Sequence, residues 1–297
     1  MKLYPINTGY FKLDGGAMFG VVPKSIWNKI NPADENNMCN WALRSLLIED
    51  GNRLVLVDNG MGDKQNAKFF SHYYIHGDDT LDKSLAKYGF TADDITDVFL
   101  THLHFDHCGG SIKRERDKLI PSFKNAVYWS NKLHWETATQ PNEREKASFL
   151  KENILPIQES GQLQFINHSF EEPLNGPGLQ ISTARLLSEK FSENISVLFV
   201  NGHTQMMMLP QINYNGRTIV YMADLLPSQG HIPIPYVMAY DMFPLTTMNE
   251  KKIFLKEAVE HDYIFFFEHD PKYECCNLQQ TERGIRPKGF FRLNEIK

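Results

Sequence analysis

Apolar positions along this chain gather in short runs bounded by turn-forming residues, the pattern of buried strands, and only a few stretches carry them at helical spacing. Residues 3–22 alternate loosely and include Gly9, Gly15, Gly16 and Gly20, which predicts an edge strand running into a loop. Runs at 41–48 and 53–57 flank Asp50-Gly51, and runs at 206–212 and 217–222 flank Asn215-Gly216. Both dipeptides tolerate the left-handed backbone of a tight hairpin turn. Further strands are predicted at 95–100, 126–129, 163–166, 179–183, 195–200 and 263–267. Helical spacing covers 81–88 and a polar-rich stretch over 132–150 interrupted near Pro141. It is clearest at 246–261, where Ile253, Phe254, Ala258 and Val259 share one side and acids and lysines take the rest. Strands that keep returning with helices between them predict an α+β chain, two sheets with helices outside, in an αββα sandwich.

Composition narrows this picture. With 297 residues and no Pro/Gly/Ser-rich linker, a single domain over 1–297 is expected. The formal net charge of −5 offers no overall attraction to nucleic acid. The basic residues at 113–118 are interleaved with Glu115 and Asp117, so they read as a solvated loop or helix face. Cys39, Cys108, Cys275 and Cys276 show no disulfide-framework spacing, which favours a reducing compartment. No apolar signal core opens the chain, and no run of about 18 apolar residues occurs, so a cytoplasmic protein without membrane association is expected.

The chemistry concentrates in ITDVFLTHLHFDHCGG, residues 95–110. Residues two apart on an extended chain point to the same side, so His102 and His104 can reach one cation as neutral imidazoles. A turn after Phe105 would bring Asp106 and His107 back toward a neighbouring cation. Gly109 and Gly110 would let the backbone bend sharply or let a following helix pack close. One short segment seldom closes a metal site, so later ligands are expected. His203, Asp224 and His269 each follow an apolar run and share its strand-end setting. His72 and His76 lack such a setting and read as surface residues, while Phe69, Phe70, Tyr73 and Tyr74 around them could cover a cleft mouth.

The segment His102-x-His104-x-Asp106-His107, followed by Gly202-His203-Thr204, Asp224 and His269, resembles the metallo-β-lactamase superfamily over nearly the whole chain. The resemblance implies an αββα sandwich of two facing mixed β-sheets with helices outside, and an enzyme, since most members are hydrolases. It implies His102, His104 and His203 at one metal, Asp106, His107 and His269 at a second, and Asp224 between them, with Asp58 as a supporting residue behind the metals. Two divalent metal ions are expected, zinc first, although iron, manganese or cobalt also suit mixed His/carboxylate ligands. Such a pair lowers the pKa of a water between them toward ~7. Asp106 is placed to orient that water or to pass its proton to the leaving oxygen. Cys108 reads as a small packing residue rather than a ligand.

Within the superfamily the chain most resembles the N-acyl homoserine lactonases and their organophosphate-hydrolysing relatives. The expected function is therefore a dinuclear metal-dependent lactonase, hence quorum quenching, with a phosphotriesterase or other ester hydrolase as the alternative. One departure stands out: the best-known lactonases place a tyrosine three residues after the bridging aspartate, where this chain has Pro227. In the proline-restrained loop that follows, His231 and Tyr236 are the candidates to take over, His231 as a catalytic donor to the substrate carbonyl or leaving alkoxide. Met18, Phe19, Phe105, Tyr236 and Met238 are expected to line the substrate site. The expected partner is a small-molecule lactone or ester, and the expected assembly a homodimer.

Overall fold

Both predicted hairpin turns form where their dipeptides stand: Gly51 takes φ 64°, and Asn215 and Gly216 take φ 51° and 76°. The computed structural model describes residues 1–168 and 186–296, so the strand predicted at 179–183 lies outside the described residues. The chain divides into two compact units, each made of two stretches of sequence. The first is Met1–Lys12 with Trp41–Ile166, the second Leu13–Asn40 with Asn167–Lys297.

The first unit carries most of β1 (Lys2–Asp14) and β2 (Met38–Asp50), with β3 (Arg53–Val57), β4 (Asp97–Phe99), β5 (Ile112–Glu115), β6 (Lys118–Pro121), β7 (Val127–Ser130) and β8 (Leu163–Phe165). Its main sheet has the order β1-β2-β3-β4-β7-β8, mixed, with β3, β4, β7 and β8 mutually parallel. Parallel neighbours put their C-terminal ends on one edge, which is where β3 delivers Asp58 and β4 delivers residues 101–104. Leu47, Leu56, Val98, Leu100, Phe123, Tyr128, Ile154 and Ile157 are all buried in its core. Residues 113–118, expected as a loop or helix face, form the tip of the small exposed hairpin β5-β6. The single interrupted helix predicted at 132–150 is instead a helix at Lys132–Thr139, a turn segment, and a second helix at Lys151–Glu159.

The second unit carries β9 (Leu187–Lys190), β10 (Ile195–Val200), β11 (Met207–Tyr214), β12 (Arg217–Tyr221), β13 (Ile264–Phe266), β14 (Cys275–Thr281) and β15 (Gly284–Phe291), in the sheet order β15-β14-β13-β12-β11-β10-β9. β12 and β13 are parallel, and β10 runs antiparallel to β11, which runs antiparallel to β12. β10, β12 and β13 therefore also end on one edge. The hairpin β14-β15 has no apolar run to announce it, because its residues are largely polar and half-exposed. The long helix spans Pro244–Glu260 and buries Thr247, Glu250, Lys251, Phe254, Leu255 and Ala258. Acid and lysine thus lie on the inward face, not opposite it as the apolar pattern predicts, and Ile253 and Val259 are only partly buried. All four cysteines are free and buried. Among the described residues no helix is long and apolar enough to cross a membrane.

One buried carboxylate ties three parallel strands together. Asp97 at the start of β4 accepts from Arg53 Nε (3.0 Å) and NH2 (2.6 Å) on β3, from Trp129 Nε1 (2.8 Å) on β7 and from the Thr96 hydroxyl (2.7 Å). Burial alone would raise its carboxyl, but these donors and the Arg53 charge outweigh that and hold it below the usual carboxylate range. A carboxyl lowered on folding stabilises above its unfolded pKa of about 3.9 and loses that contribution as pH falls through the folded value. Asp97→Asn is expected to cost about 2 kcal/mol at pH 7 in urea unfolding, and the gap to the parent should close as pH falls below about 4.

Candidate functional site

In the first unit, the strand β4 ends into Thr101 and His102, and a short helix, Phe105–Cys108, turns Asp106 and His107 back beside them. Asp58, fully buried in a left-handed conformation at φ 53°, anchors this turn. Its carboxylate accepts from the Thr101 N–H (2.8 Å), the Thr101 hydroxyl (2.6 Å) and His107 Nδ1–H (3.1 Å). Because the Thr101 hydroxyl gives its proton to Asp58, its oxygen accepts from His102 Nδ1–H at 3.1 Å. Both imidazoles are thereby fixed in the tautomer that leaves Nε2 bare. His102 Nε2 then faces His104 Nδ1 at 3.1 Å, and the His102 and His107 rings lie 3.9 Å apart. Glu145, buried in the turn segment after the helix Lys132–Thr139, places a carboxylate oxygen 3.5 Å from the far side of His104, Nε2. His134 accepts the Leu103 N–H at 2.9 Å, so it holds the loop's backbone.

The glycines after His107 are needed for space rather than for a bend. Gly109 has an ordinary helical backbone, but a Cβ there would overlap the Met61 carbonyl, and one on Gly110 would overlap the Asn59 carbonyl. The 59–62 loop docks directly on them through Asn59 N–H to His107 O (2.8 Å) and Gly110 N–H to Gly60 O (3.0 Å). Buried Lys64 donates to the Gly109 carbonyl. Cys108 is fully buried, its thiol pushed up to about 12 by burial, and it donates to Leu103 O at 3.3 Å. It is a neutral packing group.

In the second unit, His203 follows β10, Asp224 sits in the turn after β12 next to the strained Ala223 (φ 40°), and His269 follows β13. Asp224 turns its two oxygens to two different rings: Oδ2 lies 3.1 Å from His203 Nε2 and Oδ1 lies 3.3 Å from His269 Nε2. Asp241 accepts from His203 Nδ1–H at 3.0 Å, which again points Nε2 inward. Burial would lower the His203 ring, yet Asp224 and Asp241 on either side raise it to about 10. The position therefore favours positive charge.

These donors fit a divalent cation. Two neutral imidazole nitrogens 3.1 Å apart repel unless a proton or cation is shared between them. Two nitrogens on one tetrahedral zinc are separated by about 3.3 Å, given bonds of about 2.0 Å. Each unit thus presents a His/Asp donor set in which outer ring nitrogens are tied to carboxylates, directly or through Thr101.

The residues expected to line a substrate are spread over both units. Met18 and Phe19 are core residues: Phe19 is sandwiched between Trp27 (5.4 Å) and His231 (4.7 Å), and neither exposes more than 1% of its surface. His231 has both nitrogens engaged, Nδ1 accepting from the Ser228 hydroxyl (2.9 Å) and Nε2–H donating to Met18 O (2.9 Å). Burial pulls it down to about 3, so it is a neutral ring holding the 228–232 turn, not a free donor. Met238 is buried and Tyr236 half-buried. Phe105 packs in an aromatic cluster with Phe69 and Tyr73. Exposed His76 bonds the Tyr74 carbonyl, as a surface residue does.

Sequence reasoning missed Asp241, Glu145, Glu250 and Lys251. Glu250 accepts the N–H groups of Asn201 (2.6 Å) and Gly202 (3.0 Å), the two residues before His203. Burial pushes its carboxyl up to about 8, against the pull of those two bonds. Lys251 donates to the carbonyls of Pro233 (2.9 Å), Ile234 (3.3 Å) and Tyr236 (2.9 Å), and burial pulls its ammonium down to about 7. Their one legible signal is spacing: Thr247, Glu250, Lys251, Phe254 and Ala258 share one helix face. Asp241 and Glu145 have no sequence signal, since a carboxylate behind a histidine can come from any segment.

A mixed-sheet chain whose parallel strands end in His/Asp donors belongs to the class of metal-binding α+β proteins. The family follows directly: the model of the Metallo-beta-lactamase superfamily matches residues 44–269, a span that includes every donor above, and the chain belongs to that superfamily. N-acyl homoserine lactonase AiiA of Bacillus thuringiensis subsp. kurstaki is 27% identical over 165 residues, 52% of this chain and 56% of that protein. The chain spans about half the length of the curated relatives it matches. A Staphylococcus aureus protein described as a probable metal-dependent hydrolase is 26% identical with a TM-score of 0.84, covering 98% of this chain and 96% of that one. AidC, a dizinc quorum-quenching lactonase solved with N-hexanoyl-L-homoserine, is 22% identical with a TM-score of 0.74, covering 98% and 95%, a likeness of fold.

Gly109→Ala is expected to destabilise the first unit by about 2 kcal/mol or more, because the Met61 carbonyl it would meet is main chain and cannot swing aside. Urea unfolding of the variant against the parent measures this.

Proposed function

We propose that this protein is a dinuclear metal-dependent hydrolase, zinc-loaded, that opens the ring of N-acyl homoserine lactones and so destroys a quorum-sensing signal. The observation that carries the reading is Asp224, whose two oxygens face two separate histidines as a carboxylate shared by two cations would. In this reading His102, His104 and His203 hold one cation, Asp106, His107 and His269 the other, and Asp224 both. When bound, the pair supplies Lewis-acid polarisation of the scissile carbonyl and an acidified water at neutral pH. The membership of the superfamily and the likeness to lactonases support it.

The chain's own residues divide the remaining work. Asp58 and Asp241 hold the His107 and His203 rings so that no proton occupies the inward nitrogens of the loaded enzyme. Asp106 is nearly buried, with Oδ2 3.9 Å from His107 Nε2. It takes the proton of the attacking water and returns it to the alkoxide released when the acyl carbon–oxygen bond breaks. One carbon–oxygen bond forms, one breaks, and the product is the open hydroxy acid. The aromatic cluster of Phe69, Tyr73 and Phe105, beside Asp106 in sequence and charge, offers an apolar wall. That wall would equally stack an aryl ester or aryl phosphotriester, which keeps those substrates as the second reading.

Zinc-loaded protein is expected to hydrolyse N-hexanoyl homoserine lactone faster than paraoxon-type triesters. Asp106→Asn should lower kcat/KM by about 100-fold or more, and dialysis against a chelator should abolish turnover until metal is restored. Equal lactone turnover by parent and Asp106→Asn would sink the proposal. Asp58→Asn is expected to weaken metal retention by about 10–100-fold in a chelator competition, with the fold intact by circular dichroism.

A further inference from the structure

Tyr73 stands just past the short helix Ala67–Ser71, and its ring packs on Phe105 at 4.7 Å and on Phe69 at 5.0 Å. Its main chain is fixed from both sides. The Tyr73 N–H donates to Phe70 O (3.1 Å), the Tyr73 carbonyl accepts from Lys12 N–H (2.7 Å), and the chain reverses at once through Tyr74 at φ 48°. The phenol is therefore aimed by a rigid backbone and a packed ring, not carried on a loose loop. Phe105 directly precedes Asp106, and the Asp106 charge acts on the Tyr73 hydroxyl. Burial, with that charge adding to it, pushes the phenol up to about 12, so it keeps its proton through the working pH range. Among the described residues no protein group hydrogen-bonds the Tyr73 hydroxyl.

Packing alone does not call for a hydroxyl here. Phe69 and Phe105 fill the same cluster without one, and a half-buried O–H lacking a protein partner is a donor held ready for something that binds. The other donor expected near the site, His231, is spent on Ser228 and Met18 in the second unit. We propose that Tyr73 is a catalytic residue whose hydroxyl donates a hydrogen bond to the carbonyl or phosphoryl oxygen of the substrate that Asp106 serves. As negative charge grows on that oxygen during attack, the bond strengthens, so its effect falls on kcat more than on KM. This inference rests on the hydrolytic reading above.

The test is Tyr73→Phe, which retains the ring and its packing and removes one oxygen. Zinc-loaded parent and variant are compared on N-hexanoyl homoserine lactone and a paraoxon-type triester, with melting temperature and Co2+ uptake recorded for both. The expected result is a kcat on the preferred substrate lowered by about 10–100-fold, with KM, melting temperature and Co2+ uptake unchanged. Tyr73→Trp, which returns a ring N–H, should recover part of the loss. A Tyr73→Phe kcat within twofold of the parent would overturn the assignment while leaving the hydrolase reading standing. If instead Tyr73→Phe loses melting temperature or Co2+ uptake in step with kcat, the hydroxyl is structural and the assignment falls. A parent that binds Co2+ but turns over neither substrate overturns the hydrolytic reading and this inference together.

Discussion

Imidazole and carboxylate donor atoms are held about 3 Å apart in this protein, and nearly every unusual feature around them serves to keep them there. His102 Nε2 against His104 Nδ1 and Asp224 against two imidazoles are contacts that free rotation of the side chains would break. The fold prevents this from behind. Asp58 gathers three donors on one fully buried carboxylate and so fixes His102 and His107 at once; Asp241 does the same for His203. A charge-assisted bond to the outer nitrogen sets both the ring's orientation and which nitrogen is left bare. The left-handed backbone at Asp58 and Ala223 is the strain this placement costs.

Delivery of the donors is a property of parallel strands. In the first unit β3 and β4 end side by side, so Asp58 and His102 start from one edge. In the second, β12 and β13 do the same for Asp224 and His269, and β10 reaches that edge two strands further along. Loops alone would not hold such positions, so buried ionisable side chains pin them. Glu250 holds the turn before His203, and Lys251 holds the carbonyls of the 233–236 segment. Burying an ionisable side chain costs several kcal/mol, and each of these recovers it only through multiple bonds to main chain that would otherwise lie unpaired.

Membership of the superfamily and choice of substrate sit on different parts of the chain. The donors occupy the core of the family match, whereas the surfaces that could read a substrate come from less ordered pattern: the aromatic cluster on Phe105 and the segment after Asp224. There Pro227 accepts the His269 N–H through its carbonyl at 3.2 Å, and the ring of His231 serves packing. Under the proposed reading, substrate-facing chemistry in the first unit falls to Asp106 and its aromatic neighbours.

The sequence by itself singled out the His/Asp positions at the strand ends and most strands. Short apolar runs, turn dipeptides and His/Asp at strand ends are local signals, and local signals survive in one dimension. It could not announce β14-β15, whose half-exposed strands have no apolar run, nor the helix face that buries Glu250 and Lys251, because polarity alone argues for solvent. It also favoured Met18, Phe19 and His231 as substrate residues. Only tertiary structure showed them buried in a core, and only tertiary structure brought Asp241 behind His203 and Glu145 behind His104. Which carboxylate stands behind a given imidazole depends on where distant segments cross, and that is fixed by packing rather than by spacing along the chain.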